Sequence, residues 1–459
     1  MTFTKINFNN FFLRTKNIKI NFDNLGNYFF YISIFLLVSA PFISSILLFI
    51  ASIISTIKNR TLFLNDRLNI LLLYTSLLLI FSSIFNYFHP NPTLQNSFGQ
   101  FNYFVGLSNY LPLFWVFWTS QYYLRNSEQR KRTAILLIAG TFPIFISQFL
   151  QYYQGDFAIS EKLTALNGLI VWFINPSPKL YGYAGLFSNS NYLAAWLSFV
   201  LPFSIASILQ KQKIFERFLI RFLFLSLICA SILICFSRMG WFSIPFHLTI
   251  FSCNPSFLII IFTLILLTFI ILISLFIFVF VFSIPLINFL DYQNNFFIEM
   301  ILNNTFYTPR FTILLDTIKF ISYRPLIGWG SSTYPEVYKL LGTRTDIAHS
   351  HNLLLEIAFN YGIIPAILLT IIFLFIVLKS LYLELKINKN SSFYKYKKSY
   401  LIFNKAWISS AIFIGISQMV DIQYYDLRIS LGLWIILGGL RSYIYEINHL
   451  EKNSIIKSS

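Results

Sequence analysis

The sequence has few acidic residues and few charges of either sign. Of its 459 residues, 17 are Asp or Glu and only 11% are charged, whereas a soluble domain has about 25%. Its three cysteines (Cys229, Cys235 and Cys253) lie in or beside apolar segments and form no Cys-x-x-Cys pair. The scarcity of charge excludes a water-soluble protein, and the cysteine pattern excludes a disulfide framework or a cysteine metal site.

Long apolar runs occupy most of the chain. Hydrophobic residues make up 56% of it, 54 residues are Phe, and the mean hydropathy is +0.67. A run of about 20 apolar residues crosses a bilayer core of ~30 Å as a helix. The runs predict an all-α, polytopic membrane protein with segments at 28–57, 68–88, 103–123, 133–150, 189–209, 219–236, 239–252, 256–286, 352–379, 402–420 and 427–445. A twelfth apolar stretch, 163–174, has 12 residues and is too short to cross.

The distribution of Lys and Arg sets the predicted orientation. If 28–57 crosses twice, breaking at Ala40-Pro41, the chain crosses twelve times with both termini in the cytoplasm. Cytoplasmic segments then hold 25 of the 34 Lys and Arg residues, as the positive-inside rule requires. The net charge of +17 therefore belongs to the cytoplasmic membrane face, and no nucleic-acid surface is predicted.

This topology divides the chain into five regions. They are a basic cytoplasmic tail at 1–27, a transmembrane bundle of about eight crossings at 28–286, a large outer loop with short helices at 287–350, transmembrane helices at 351–445, and a second tail at 446–459. The first tail lacks the compact apolar core and the small-residue cleavage site of a signal peptide.

Two histidines lie where the chain re-enters the membrane after the long loop. A histidine at this boundary can simply keep its polar end in water. His349 and His351 have i, i+2 spacing, but no cysteine or acidic pair nearby completes a metal-ligand set. A third interpretation is a general base, because imidazole titrates near neutral pH and can accept a proton from an attacking hydroxyl.

Two arginines lie at the predicted outer face. Arg238 separates two apolar segments, and Arg310 begins an amphipathic stretch after Pro309. Each could be a solvated boundary residue. The positive-inside bias makes an outer arginine unusual, however, and two arginines with a histidine could bind a pyrophosphate and deprotonate an acceptor.

Several elements resemble the O-antigen ligase and polymerase family of bacterial envelope glycosyltransferases. The resemblance covers roughly residues 185–440 and predicts a similar fold with twelve spans and a large outer loop. The matching elements are Arg310 before a helix, the turn Arg-Pro-Leu-Ile-Gly-Trp-Gly at 324–330, His351-Asn352 followed by nine residues and Gly362, Ser-Arg-x-Gly at 237–240, and the Asn-x-Asn segment at 188–194.

The resemblance implies a metal-independent enzyme without a cofactor. Such an enzyme moves a glycan from a polyprenyl pyrophosphate, such as undecaprenyl pyrophosphate, to an acceptor hydroxyl at the periplasmic face of the bacterial inner membrane, as in lipopolysaccharide biosynthesis. By motif, His351 is the base, and Arg238 and Arg310 bind the pyrophosphate. Asn352 and Asn191 are possible supporting residues. Glu356, predicted to lie in the same helix as His351, either orients a substrate or is buried and paired.

Three alternatives remain open. A polysaccharide polymerase of the same family would join two lipid-linked glycans, whereas a ligase uses a different glycan or lipid acceptor. A small-anion or bicarbonate transporter should show inverted repeats and polar breaks near mid-membrane, which we do not find. A structural membrane subunit would leave the arginines and the histidine unexplained.

Overall fold

A computed structural model describes residues 22–59, 66–90, 101–154, 182–210, 215–252, 309–342, 347–389 and 398–458. Helices make up 83% of the described residues, which contain no strand. The prediction of an all-α fold is therefore confirmed. The predicted segments at 163–174 and 256–286, and residues 287–308 of the predicted outer loop, lie outside the described residues.

The first half of the described chain contains ten α-helices. They are α1 (Phe22–Leu36), α2 (Pro41–Asn59), α3 (Arg67–Phe88), the short α4 (Asn102–Val105), α5 (Leu111–Tyr123), α6 (Ser127–Ala139), α7 (Phe142–Gln154), α8 (Ser190–Leu209), α9 (Phe215–Ile234) and α10 (Arg238–Ser252). Six more follow: α11 (Pro309–Tyr323), α12 (Tyr334–Leu341), α13 (Leu353–Tyr361), α14 (Ile363–Lys389), α15 (Lys398–Val420) and α16 (Leu427–Ser458).

Seven stretches of the described chain are long and apolar enough to cross a membrane. They are Pro41–Lys58, Arg67–Phe88, Ser127–Tyr152, Ser190–Leu209, Phe215–Ile234, Ile363–Ile387 and Leu427–Leu450. The protein is thus a membrane protein with several spans.

The segment predicted to cross twice forms two helices. α1 ends at Leu36 and α2 begins at Pro41, beside the predicted break. The helices run antiparallel: Ser44 donates to the Ser33 carbonyl at 2.7 Å, and Gly26 lies against Ile54. With 15 residues, α1 is shorter than a bilayer crossing requires.

Two predicted segments are broken. The segment 103–123 contains a short turn of 3₁₀-helix at Gly106–Asn109 before α5 starts at Leu111. The segment 352–379 is divided into α13 and α14 at Gly362, whose φ is 96°. A residue with a Cβ avoids this conformation, so the chain turns at the glycine.

Helices α8 and α16 form the centre of the bundle. In the most apolar stretch of each helix, 83% of the residues of α8 and 89% of those of α16 are buried, compared with 17% of those of α9. α8 packs against α9, α10 and α15, while α16 packs against α5, α14 and α15. The outer helices keep exposed Phe and Leu side chains, as expected for surfaces facing lipid.

The bundle has two chemically different ends. At one end, Asp66 before α3 pairs with Arg441 of α16, and Arg130 of α6 pairs with Glu446; we call it the ion-pair end. At the other end, α13 and α16 begin and α3 and α15 finish. His351 and Asp421 lie there, and we call it the histidine end.

Candidate active site

The loop 349–352 is fixed to the end of α15 by one side chain. The Asn352 side-chain oxygen accepts a hydrogen bond from Leu355 N at 3.1 Å and caps α13, the role for which Asn is favoured at helix starts. Its amide donates to the Met419 carbonyl at 3.1 Å. Asn352, predicted to be a supporting residue, thereby places His351 beside the residues that follow α15.

The glycine-containing turn at 324–330 docks on the opposite end of α13. Trp329 N donates to the Phe359 carbonyl at 2.8 Å. Gly328 has a φ of 74°, and a Cβ there would lie 2.6 Å from the Phe359 oxygen. A Cβ on Gly362 would lie 2.2 Å from the Leu326 oxygen. Both glycines therefore allow a close backbone approach that fixes the position of α13.

Glu356 supports the histidine loop from inside the protein. It is 3% exposed and accepts a hydrogen bond from Ser350 N at 2.9 Å. Tyr425 OH lies 3.5 Å from its second oxygen. The prediction that Glu356 shares a helix with His351 is wrong, because α13 begins at Leu353 and His351 has a φ of 57°. Of the two interpretations of Glu356, this geometry favours the buried and paired one.

His351 is paired with a carboxylate that lies 70 residues further along the chain. Its Nδ1 is 2.9 Å from Asp421 Oδ1, and the two side chains are 28% and 12% exposed. Burial raises the pKa of Asp421, but the hydrogen bond from His351 and the nearby His351, His349 and Arg310 together hold that pKa below its ordinary value. The ionised carboxylate can only accept a hydrogen bond, so Nδ1 carries the proton and Nε2 keeps a free lone pair.

His349 lies against the ring of His351. The ring centroids are 4.2 Å apart, and His351 N donates to His349 Nδ1 at 3.2 Å. Burial lowers the pKa of His349 to about 4, with a smaller lowering by His351. His349 is therefore neutral at neutral pH.

The fold completes a set of three metal-ligating side chains. A ring nitrogen of His349, a ring nitrogen of His351 and a carboxylate oxygen of Asp421 all lie within 4.8 Å of one another. No acidic residue near the two histidines in the sequence completes a ligand set, but Asp421 does so in the fold. The acid comes from the segment after α15, and sequence spacing around the histidines could not reveal it.

Arg310 lies at the edge of this cluster. Its side chain is exposed, and Nη1 is 3.4 Å from the carbonyl oxygen of Val420, the residue before Asp421. Its charge contributes to the lowered pKa of Asp421. The structure therefore places Arg310 beside Asp421, the residue that contacts His351.

Arg238 also lies at the histidine end, but on a different helix. It is exposed at the first position of α10 and has no ion-pair partner among the described residues. A Cβ on Gly240 would lie 3.0 Å from Ala194 Cβ of α8, one turn below Asn191. The described contacts place Arg238 beside the start of α8 and do not join it directly to His351.

The Asn-x-Asn segment begins α8. The Asn189 side chain caps this helix by accepting a hydrogen bond from Asn191 N at 2.8 Å. Asn191 is half-buried at the histidine end. Tyr192, which follows it, lies within electrostatic range of Asp421 and Asp426. Asn191 is thus placed near the site through its helix.

An apolar cleft opens beside the histidine loop. It contains about 1030 Å³ of empty space including its mouth, and α13, α14, α15 and α16 line it. Leu353 and Met419 form part of its wall. Leu353 directly follows Asn352, and Met419 lies two residues before Asp421. An apolar ligand in this cleft would therefore lie close to the His351–Asp421 pair, because wall residues are two positions from each member of the pair.

The comparison with protein families identifies this region. Residues 224–370, about a third of the chain, match the family model described as O-antigen ligase. The match contains Arg238, Arg310 and His351 and excludes Asp421, and it is narrower than the predicted range of 185–440. A comparison with curated proteins gives no match. Residues 224–370 therefore resemble the O-antigen ligase family, in agreement with the motifs found in the sequence.

Proposed function

We propose that this protein transfers a glycan from a polyprenyl pyrophosphate to an acceptor hydroxyl at the outer face of the bacterial inner membrane. The observation that carries the proposal is the His351–Asp421 pair, which orients a partly exposed imidazole with its Nε2 available. The match of residues 224–370 to the O-antigen ligase family model supports the reaction class.

In this reaction His351 is the general base. Its Nε2 accepts the proton of the acceptor hydroxyl while the hydroxyl oxygen attacks the anomeric carbon of the glycan. The bond between that carbon and the pyrophosphate breaks, and the polyprenyl pyrophosphate leaves. Asp421 accepts the Nδ1 hydrogen bond, holds the ring in the required tautomer and stabilises the imidazolium that forms, as carboxylates do in other His–Asp pairs.

The two arginines stabilise the leaving group. A pyrophosphate gains negative charge as the glycosidic bond breaks, and a guanidinium can bind phosphate oxygens with two parallel hydrogen bonds. Arg310 lies beside Asp421, which contacts His351, and Arg238 lies beside the start of α8. Both side chains are exposed, so their donors are accessible to an incoming anion.

The apolar cleft provides a place for the polyprenyl chain. Its walls are mainly Leu and Ile side chains, which can hold the hydrocarbon chain by van der Waals packing in place of lipid tails. A donor held in this way would present its pyrophosphate at the mouth, near His351 and Arg310.

The test uses purified protein in nanodiscs, supplied with a glycan-loaded polyprenyl pyrophosphate. One arm offers a lipid-anchored oligosaccharide acceptor, and the other offers only a second lipid-linked glycan. We expect product in the first arm, with release of polyprenyl pyrophosphate. Product in the second arm alone would identify a polymerase, and no product in either arm would contradict the proposal.

The outer location of the histidine end has its own test. Lys339 of α12 and Glu128 of α6 are both exposed and lie in segments assigned to opposite membrane sides. In a variant without native cysteines, we expect an impermeant maleimide to label Lys339→Cys in intact cells and Glu128→Cys only after permeabilisation. The reverse pattern would place the histidine end in the cytoplasm.

A further inference from the structure

We propose that His349, His351 and Asp421 form an inhibitory binding site for a divalent transition-metal ion such as Zn²⁺. The inhibitory part of this inference rests on the proposed function, whereas the binding part does not. Nothing in the proposed reaction requires His349, which leaves its close approach to His351 and Asp421 without another assigned role.

The donor set has the chemistry of a zinc site. Zinc is bound by imidazole nitrogen and carboxylate oxygen at about 2.0–2.2 Å, and three protein ligands with one open position are common. Ligand atoms around a tetrahedral zinc ion are then about 3.4 Å apart. His351 Nδ1 and Asp421 Oδ1 are 2.9 Å apart, and the three candidate atoms lie within 4.8 Å of one another, so side-chain rotation would have to adjust these distances on both sides of the zinc value.

The neighbouring backbone holds these ligands in place. His349 and His351 flank Ser350, whose amide is bound by buried Glu356, and Asn352 ties the loop to Met419 two residues before Asp421. Hydrogen bonds of this kind orient metal ligands before the ion arrives.

Metal binding would remove the base by changing the tautomer of His351. Without an ion, Nδ1 carries the proton toward Asp421, and Nε2 has the lone pair. An ion between Nδ1 and Asp421 Oδ1 displaces the Nδ1 proton to solvent and takes that lone pair. Nε2 then takes up a proton, so the ring remains neutral but can no longer accept one from the acceptor hydroxyl.

Binding can be measured without enzyme activity. We expect Co²⁺ added to the full-length protein in detergent to give visible absorption bands characteristic of a protein-bound ion, and Zn²⁺ to abolish them. His349→Ala and Asp421→Asn should each weaken Co²⁺ binding about 10–100-fold or more. The matched control is His89→Ala, because His89 is exposed at the end of α3 and bonds only to the Phe85 carbonyl in the described structure; it should not change binding.

Inhibition is then measured as the Zn²⁺ concentration that halves each variant's own transfer rate. We expect wild type and His89→Ala to be inhibited alike, and His349→Ala to need about tenfold more Zn²⁺ or higher. Absence of the Co²⁺ bands, bands unaffected by His349→Ala, or stimulation by Zn²⁺ would each overturn the inference. If wild type shows no transfer, the proposed function fails, and the Co²⁺ titration alone decides whether the site exists.

Discussion

Both ends of the bundle contain buried ion pairs, but only the histidine end has exposed arginines near the His351–Asp421 pair. At the ion-pair end, Arg130 is 1% exposed and bound to Glu446, and Arg441 binds both oxygens of Asp66. At the histidine end, Arg428 is likewise buried and bound to Asp426, whereas Arg238 and Arg310 are exposed. Arginines that look equivalent in the sequence therefore have different surroundings, which is the basis for assigning them different roles.

The difference indicates where a charged ligand can bind. A guanidinium already paired with a carboxylate and buried has no donors facing solvent, and its removal leaves an uncompensated buried charge. An exposed guanidinium can take up an anionic ligand without losing a protein partner. We infer that the buried ion pairs maintain the fold and that the exposed arginines at the histidine end take part in the chemistry.

The largest expected effect is the loss of the base at the histidine end. His351→Ala should lower the transfer rate about 10²–10⁴-fold, the usual contribution of a general base, while the protein still binds the lipid-linked donor. Transfer and donor binding are measured on the same purified sample. His349→Ala is the control and should lose much less; equal losses in the two variants would contradict the assignment of His351.

The next effect belongs to the ion-pair end. Arg130→Ala should destabilise the protein by about 3–5 kcal/mol, because it leaves Glu446 without its buried partner. Arg132→Ala is the matched control: Arg132 is 58% exposed and 3.6 Å from Glu128, so its loss should cost about 0–1 kcal/mol. Thermal unfolding in detergent measures both. Loss of catalysis by correctly folded Arg130→Ala would show that this end is not purely structural.

A smaller effect is expected at each exposed arginine. Arg238→Ala and Arg310→Ala should each reduce transfer about tenfold or more, since a hydrogen bond to a charged group contributes about 1.5–3 kcal/mol. Thermal stability should change little, because both side chains are exposed. Lys at either position should restore part of the rate, as it keeps the charge but lacks the planar fork. Full activity in both Ala variants would remove the pyrophosphate role.

Asp421 shows what sequence reasoning missed at this site. His351 and Arg310 could be selected from local motifs, but Asp421 lies 70 residues from His351 and belongs to no motif that was recognised. A signal was present: Asp421 directly follows the apolar segment 402–420, whose end the predicted topology places on the same side as His351. Pairing polar residues at helix ends on one membrane side would have suggested it.

Of two helix breaks, one could be predicted from the sequence and the other could not. Ala40-Pro41 predicted the break before α2, because proline disrupts a helix interior. The break at Gly362 was missed, because a glycine in an apolar run is compatible with a continuous helix. Its need for a φ of 96° arises from contact with residues 325–327, a tertiary contact that hydropathy does not encode.

The smallest expected effect is that of a chelator on the wild type. His351 takes the proton and two arginines balance the charge of the leaving group, so the proposed reaction has no step that requires a divalent ion. EDTA in the purified transfer assay should therefore leave the rate unchanged, or raise it modestly where trace Zn²⁺ occupies the histidine end. A loss of rate that Mg²⁺ or Mn²⁺ restores would show instead that an ion, rather than Arg238 and Arg310 alone, stabilises the pyrophosphate.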